Sequence, residues 1–89
     1  MAAHTYERVT YLPLDARRSR TIYLRNPYEV QLLGMPVLCG DEVNREADEV
    51  APRGVDTRRH MIDCTLVRRR TPVRLDRHYG VLLAEGEEA

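Results

Sequence analysis

A small, mainly β domain, either a sandwich or a partly open barrel, is the fold class this sequence predicts. Three observations predict it. Apolar residues alternate with polar ones in short runs, turn-forming residues separate the runs at close intervals, and β-branched and tyrosine side chains are common within them. The chain has 89 residues, no Trp and no Phe, so Leu, Val, Ile, Met and Tyr must build the core. That length suits one domain, expected over residues 1–84, followed by an acidic tail at 85–89 that is expected to be disordered.

Residues 6–12 (YERVTYL) form the first expected strand, with Val9 and Tyr11 on one face. Pro13 and the polar stretch after it mark a turn, in which Asp15 is a suitable starter. Residues 21–25 (TIYLR) predict a second strand, with Ile22 and Leu24 sharing a face, and Asn26-Pro27 a loop after it. In residues 28–33 (YEVQLL), Tyr28, Val30 and Leu32 alternate with Glu29 and Gln31. Gly34, Met35 and Pro36 interrupt this pattern before it resumes at residues 37–39.

The segment 41–50 (DEVNREADEV) fits two structures. As a short helix, it places Val43, Ala47 and Val50 on one stripe, with Asp41 as cap and Pro52 and Gly54 past the end. As a hairpin, its two valines lie in strand ends around a polar turn. The β-like neighbours favour the hairpin, since so short a helix is marginal alone.

Residues 58–69 (RRHMIDCTLVRR) predict the longest strand. His60, Ile62, Cys64 and Leu66 line one face, and the β-branched Ile62, Thr65 and Val67 favour strand over helix. Thr71-Pro72 is expected to interrupt it, after which Val73 and Leu75 alternate with Arg74 and Asp76. Tyr79-Gly80 turns the chain into a last strand at residues 81–83.

All 14 basic residues are arginine, a bias that runs the whole chain and marks no single site. Formal net charge is +0, but the charges are segregated. Residues 41–50 carry five acids against Arg45, whereas residues 51–80 carry eight arginines against Asp56, Asp63 and Asp76. Neutrality argues against indiscriminate binding to DNA or anionic lipid, and segregation suits docking to a patterned partner.

The stretch VRRRTPVRLDRHYG (67–80) concentrates five arginines around one proline and one tyrosine. Guanidinium groups cannot follow an apolar face into the core unpaired, so the strand must run past the core edge here. Arg68, Arg69, Arg70, Arg74, Arg77 and Tyr79 are therefore the expected contact surface, because Arg and Tyr are enriched at interface hot spots. Asp41, Glu42, Glu46 and Asp48 form a second, acidic surface. The function expected is a non-enzymatic protein-interaction module: an adaptor, a small inhibitor or a subunit of a larger assembly. Unpaired strand edges also offer self-association into a homo-oligomer.

Two other readings use the same residues differently. Arg68, Arg69, Arg70 and Arg74 with Tyr79 could bind single-stranded nucleic acid on a small barrel, by phosphate contact and stacking. Cys39, His60, Cys64 and His78 are all zinc-ligand types, but no short chelating pair such as C-x₂-C occurs. On a strand, residues four apart are separated by about 13 Å, too far for one ion. Both cysteines are better placed as small core residues, and no metal or cofactor is expected.

Catalytic signatures such as a nucleophile elbow, a phosphate-binding loop or H-E-x-x-H do not occur, and so short a chain has little room for an enclosed active site. The first residues lack the charged and apolar regions of a secretory signal, and the apolar run at 32–39 is too short to span a bilayer. Reduced thiols and a cytoplasmic location are expected from these features.

Overall fold

The computed structural model describes residues 4–46 and 59–89. Its strands are β1 (Tyr6–Tyr11), β2 (Arg20–Leu32), β3 (Met35–Val43), β4 (Arg59–Asp63), β5 (Val67–Asp76) and β6 (Val81–Ala84), with a 3-10 turn at Cys64–Leu66. They form a single antiparallel sheet in the order β4-β3-β2-β1-β5-β6. The mainly β expectation holds, realised as one open sheet rather than two packed ones.

Register assigns the side chains to two faces. The front face carries Val9, Tyr11, Ile22, Leu24, Leu38 and Ile62, which form one buried cluster. The back face carries Val43, Val73 and Leu82, packed with Tyr6, Tyr23, Leu75 and Ala84 in a second. Leu24, Leu38, Leu82 and Val9 are wholly buried. Each contributes roughly 1.5–3 kcal/mol by leaving water.

Serving both faces requires the sheet to bend, and the bends coincide with sequence irregularities. β2 runs through Asn26-Pro27 instead of ending there, because a bulge absorbs the extra residue between the pairs Arg25↔Asp41 and Tyr28↔Cys39. Asn26 adopts φ 51°, a conformation that asparagine tolerates. Its backbone N–H donates to Thr5 at 2.7 Å, and its side-chain oxygen accepts from the Thr5 N–H at 3.0 Å. Opposite the bend, the Gly40 site is tight: a Cβ there would stand 3.1 Å from the Leu24 Cβ, so Leu24 would have to give way by a few tenths of an ångström.

The prolines expected to break strands lie inside them. Pro36 pairs with Gln31, beyond the last β3–β4 pair, Val37↔Asp63. Pro72 pairs with Glu7, beyond the last β5–β6 pair, Val73↔Ala84. Each is thus at an edge, where a missing N–H is tolerated. The β2–β3 turn falls one residue early, at Leu33 (φ 51°) and Gly34 (φ 80°), the two positive φ values of a tight hairpin.

Two further expectations need correction. Asp41–Val43 ends β3, so no helix starts at Asp41; residues 47–50 of that segment lie outside the described residues. The long strand expected over 58–69 is divided between β4 and β5 by the 3-10 turn, whose first bonds come from the Asp63 carboxylate accepting the Thr65 N–H and hydroxyl at 2.9 and 2.8 Å. Asp63 is a local turn former, a role that periodicity cannot reveal.

Beyond β6, the Glu87 N–H returns to the Ala84 carbonyl at 3.0 Å, and the Glu87 carboxylate grips Arg8 on β1 with bonds of 2.9 and 2.6 Å. After β3, Arg45 and Glu46 cross to β6: the Leu82 N–H donates to the Arg45 carbonyl at 2.9 Å, and Glu46 bridges Val81. This single bridge does not close the sheet.

Candidate interaction surface on strand β5

β5 pairs with β1 along most of its length but with β6 only from Val73 onward. Among the described residues, 67–72 therefore have no strand on their outer side. Arg68 is the extra residue of a bulge, since Tyr11 pairs with Val67 and Thr10 with Arg69. A bulge, three successive arginines and Pro72 all occupy this half of the strand, and each discourages pairing with another chain.

The arginines do not share one role. Arg70 pairs with the buried Val9 and so belongs to the front face. There its guanidinium donates to both Glu7 oxygens at 2.7 and 2.9 Å and lies 3.4 Å from Glu29. These bonds, led by those to Glu7, raise the Arg70 pKa further. Glu29 also accepts a hydrogen bond from the Cys64 Sγ at 3.4 Å; burial first, and then Glu29, pushes that thiol up.

Arg68, Arg69, Arg74 and Arg77 are exposed, and none has a carboxylate partner among the described residues. Arg69 lies on the back face opposite Thr10, and Arg74 on the front face opposite Leu83. Arg77 and Tyr79 belong to the turn before β6. There the Asp76 carboxylate accepts the N–H groups of His78 and Tyr79 at 2.9 and 3.1 Å, and the Gly80 N–H bonds to the Asp76 carbonyl at 2.7 Å. Tyr79 is 63% exposed, with its ring edge-on to His78. Beside Arg74, a groove of about 690 Å³ runs between Pro72, Leu83 and Glu87. Asp76 thus directs its hydrogen bonds to its own turn and, among the described residues, makes no ion pair with the guanidiniums around it.

The acidic residues are not assembled in the same way. Asp41 is on the back face, 3.7 Å from Arg25 and 3.8 Å from Arg59. Glu42 is on the front face, 3.7 Å from Arg20 and against the His60 Nε2, a contact without hydrogen-bond geometry. Glu46 is exposed at the crossing to β6, and Asp48 lies outside the described residues. Adjacent strand residues point to opposite faces, so Asp41 and Glu42 cannot form one patch.

The four zinc-type residues are likewise dispersed. Cys39 is buried on the back face, His60 is on the front, Cys64 is bonded to Glu29 and His78 is in the final turn. Among the described residues, no group of three or more His, Cys, Asp or Glu could hold a metal ion, and no helix is long and apolar enough to cross a membrane.

No protein-family model matches the chain, and no curated protein or solved structure is significantly similar to it.

One surface escaped the sequence reading. Tyr28, Val30, Leu32, Met35, Val37 and Met61 share the back face in adjacent rows of the register. Tyr28, Leu32, Met35 and Met61 are 45%, 42%, 49% and 59% exposed, and Leu33 at the hairpin tip is fully so. The alternation of Tyr28, Val30 and Leu32 was legible. Its exposure follows from its face: Leu38 and Ile62 on the front of this region belong to the first core, whereas the second core, around Val43, Val73 and Leu82, does not include these back-face residues.

Proposed function

We propose that this protein is a non-enzymatic interaction module that docks an acidic surface of another protein, which straddles the β5 edge to reach Arg74 on the front face, Arg69 on the back, and Arg68, Arg77 and Tyr79 at the bulge and turn. The observation that supports this most directly is the contrast along β5: Arg70 is paired with Glu7, whereas four neighbouring guanidiniums are exposed and have no carboxylate partner among the described residues. Exposed arginines and a tyrosine, with a groove beside Arg74 that Pro72, Leu75 and Leu83 help to line, are the elements from which interface anchors are made. The reading is narrower than one using two patches, because Asp41 and Glu42 are engaged within the sheet. Both cysteines are free, which suits a reducing compartment such as the cytoplasm.

Affinity capture with the wild type and with Arg69→Glu/Arg74→Glu, each on nuclease-treated and untreated lysate, tests this reading. A stoichiometric protein that survives nuclease and is lost with the charge-reversed variant is the expected result. Nucleic acid captured only from untreated lysate, with binding that weakens steeply as salt rises, would replace it with a phosphate-binding function. A protein retained equally by both forms would remove the arginines from the interface.

A further inference from the structure

The open edges of the sheet are treated unequally. Arg45 and Glu46 cover part of β6, and β5 is guarded by its bulge, its arginines and Pro72. β4 is less protected: among the described residues no strand pairs with its outer side, and RHMID contains neither proline nor bulge, its charges Arg59 and Asp63 being of opposite sign.

We propose that β4 is a self-association edge, pairing antiparallel with β4 of a second copy about a two-fold axis at Met61. The occupant follows from the sequence of the edge. Centred on Met61, antiparallel pairing sets Arg59 opposite Asp63 of the other copy, twice, and His60 opposite Ile62. Opposite charges directly across a ladder stabilise it, and like charges oppose it. A shift of one residue would break both ion pairs and send alternate side chains to the wrong face.

The back face gives the pairing an apolar row to extend. Tyr28, Cys39 and Met61 lie side by side across β2, β3 and β4. The two-fold places Met61 against Met61, so the row runs unbroken through both copies and covers part of a side chain that is 59% exposed in one. Edge pairing supplies the backbone bonds, while the methionines and ion pairs fix the register. The exposed arginines of β5 remain free for a separate partner.

Sedimentation velocity of the full chain across a wide concentration range tests the proposal, with folding followed by circular dichroism. The wild type is expected to pass from monomer to dimer as concentration rises. Arg59→Asp sets like charges opposite one another twice and should weaken the dimer roughly tenfold or more. Asp63→Arg should do the same, and an equimolar mixture of the two variants should dimerise, because each then supplies what the other lacks. Asp63 also holds the 3-10 turn. Should Asp63→Arg not fold, amide exchange of the wild type decides: concentration-dependent protection of residues 59–63 is expected. A wild type that stays monomeric, a dimer indifferent to Arg59→Asp, or a dimer with no added protection in β4 would each overturn the proposal.

Discussion

Arg70 on β5 and Glu7 on β1, 63 positions apart in sequence, are joined by two hydrogen bonds of 2.7 and 2.9 Å. The pair lets a strand rich in arginine lie against the central strand of the sheet without leaving a charge stranded beside Val9. Glu7→Gln keeps the size and removes the charge, and it should lower stability by about 1 kcal/mol. Urea denaturation measures this as a lower midpoint at unchanged slope. An unchanged midpoint would mean that the pair orders the strand without stabilising it.

Close packing at the bend gives a second prediction. Leu24→Ala should cost about 2–5 kcal/mol through lost burial and the cavity left behind. Gly40→Ala should also destabilise, by about 1–3 kcal/mol, since its new methyl would meet Leu24 and the Pro27 backbone. Thermal unfolding of both variants, and of the pair combined, distinguishes the effects. If space is the cause at position 40, Leu24→Ala should partly relieve the Gly40→Ala penalty.

Acid should release the end of the chain. The bonds from Arg8, and then from the Ala84 N–H, lower the Glu87 pKa from 4.5 to about 2. A depressed carboxylate contributes stability that is fully present above its unfolded value and is lost as pH falls through the folded one. Melting temperature should therefore decline between pH 4.5 and 2 more steeply in the wild type than in Glu87→Gln. Because Glu87 is exposed, high salt should shrink the difference between the two. Parallel curves at low salt would show that the tail contact adds nothing to the fold.

Thiol reactivity provides the fourth. Cys39 is buried and should resist alkylation in the folded protein. Cys64 is reachable but sluggish, because burial and the Glu29 carboxylate both disfavour its thiolate. Glu29→Gln should accelerate its reaction severalfold, read by mass spectrometry against time. An unchanged rate would assign the slowness to access alone.

Much of the strand pattern was legible, and what was missed shares a physical origin. Val9, Tyr11, Ile22 and Leu24 stand on the face their alternation gives them, because alternation reports directly on side-chain direction. Pro36 and Pro72 looked like breakers because a sequence does not show which strands have a missing neighbour. The turn at Cys64–Leu66 depends on one aspartate accepting two local bonds, a signal weaker than the apolar run around it. The basic stretch is plain in the sequence, but its separation into an Arg70 paired with Glu7 and four neighbours without a carboxylate partner among the described residues depends on Glu7, far away in sequence. Exposure of the Tyr28 face was hidden for the same reason, since burial is decided by elements elsewhere in the chain.

The position of β1 has a consequence for how the protein is made. β1 lies between β2, which follows it at once, and β5, whose pairing residues 67–73 come only after β2, β3 and β4. A nascent chain leaving the ribosome can zip β1, β2 and β3 together early, yet one side of β1 stays bare until β5 has been synthesised. Contacts this distant slow folding, and an uncovered strand is the part of an unfinished protein most exposed to pairing with a neighbour on the same polysome. A translation pause between β3 and β5 would therefore be more harmful than one after β5.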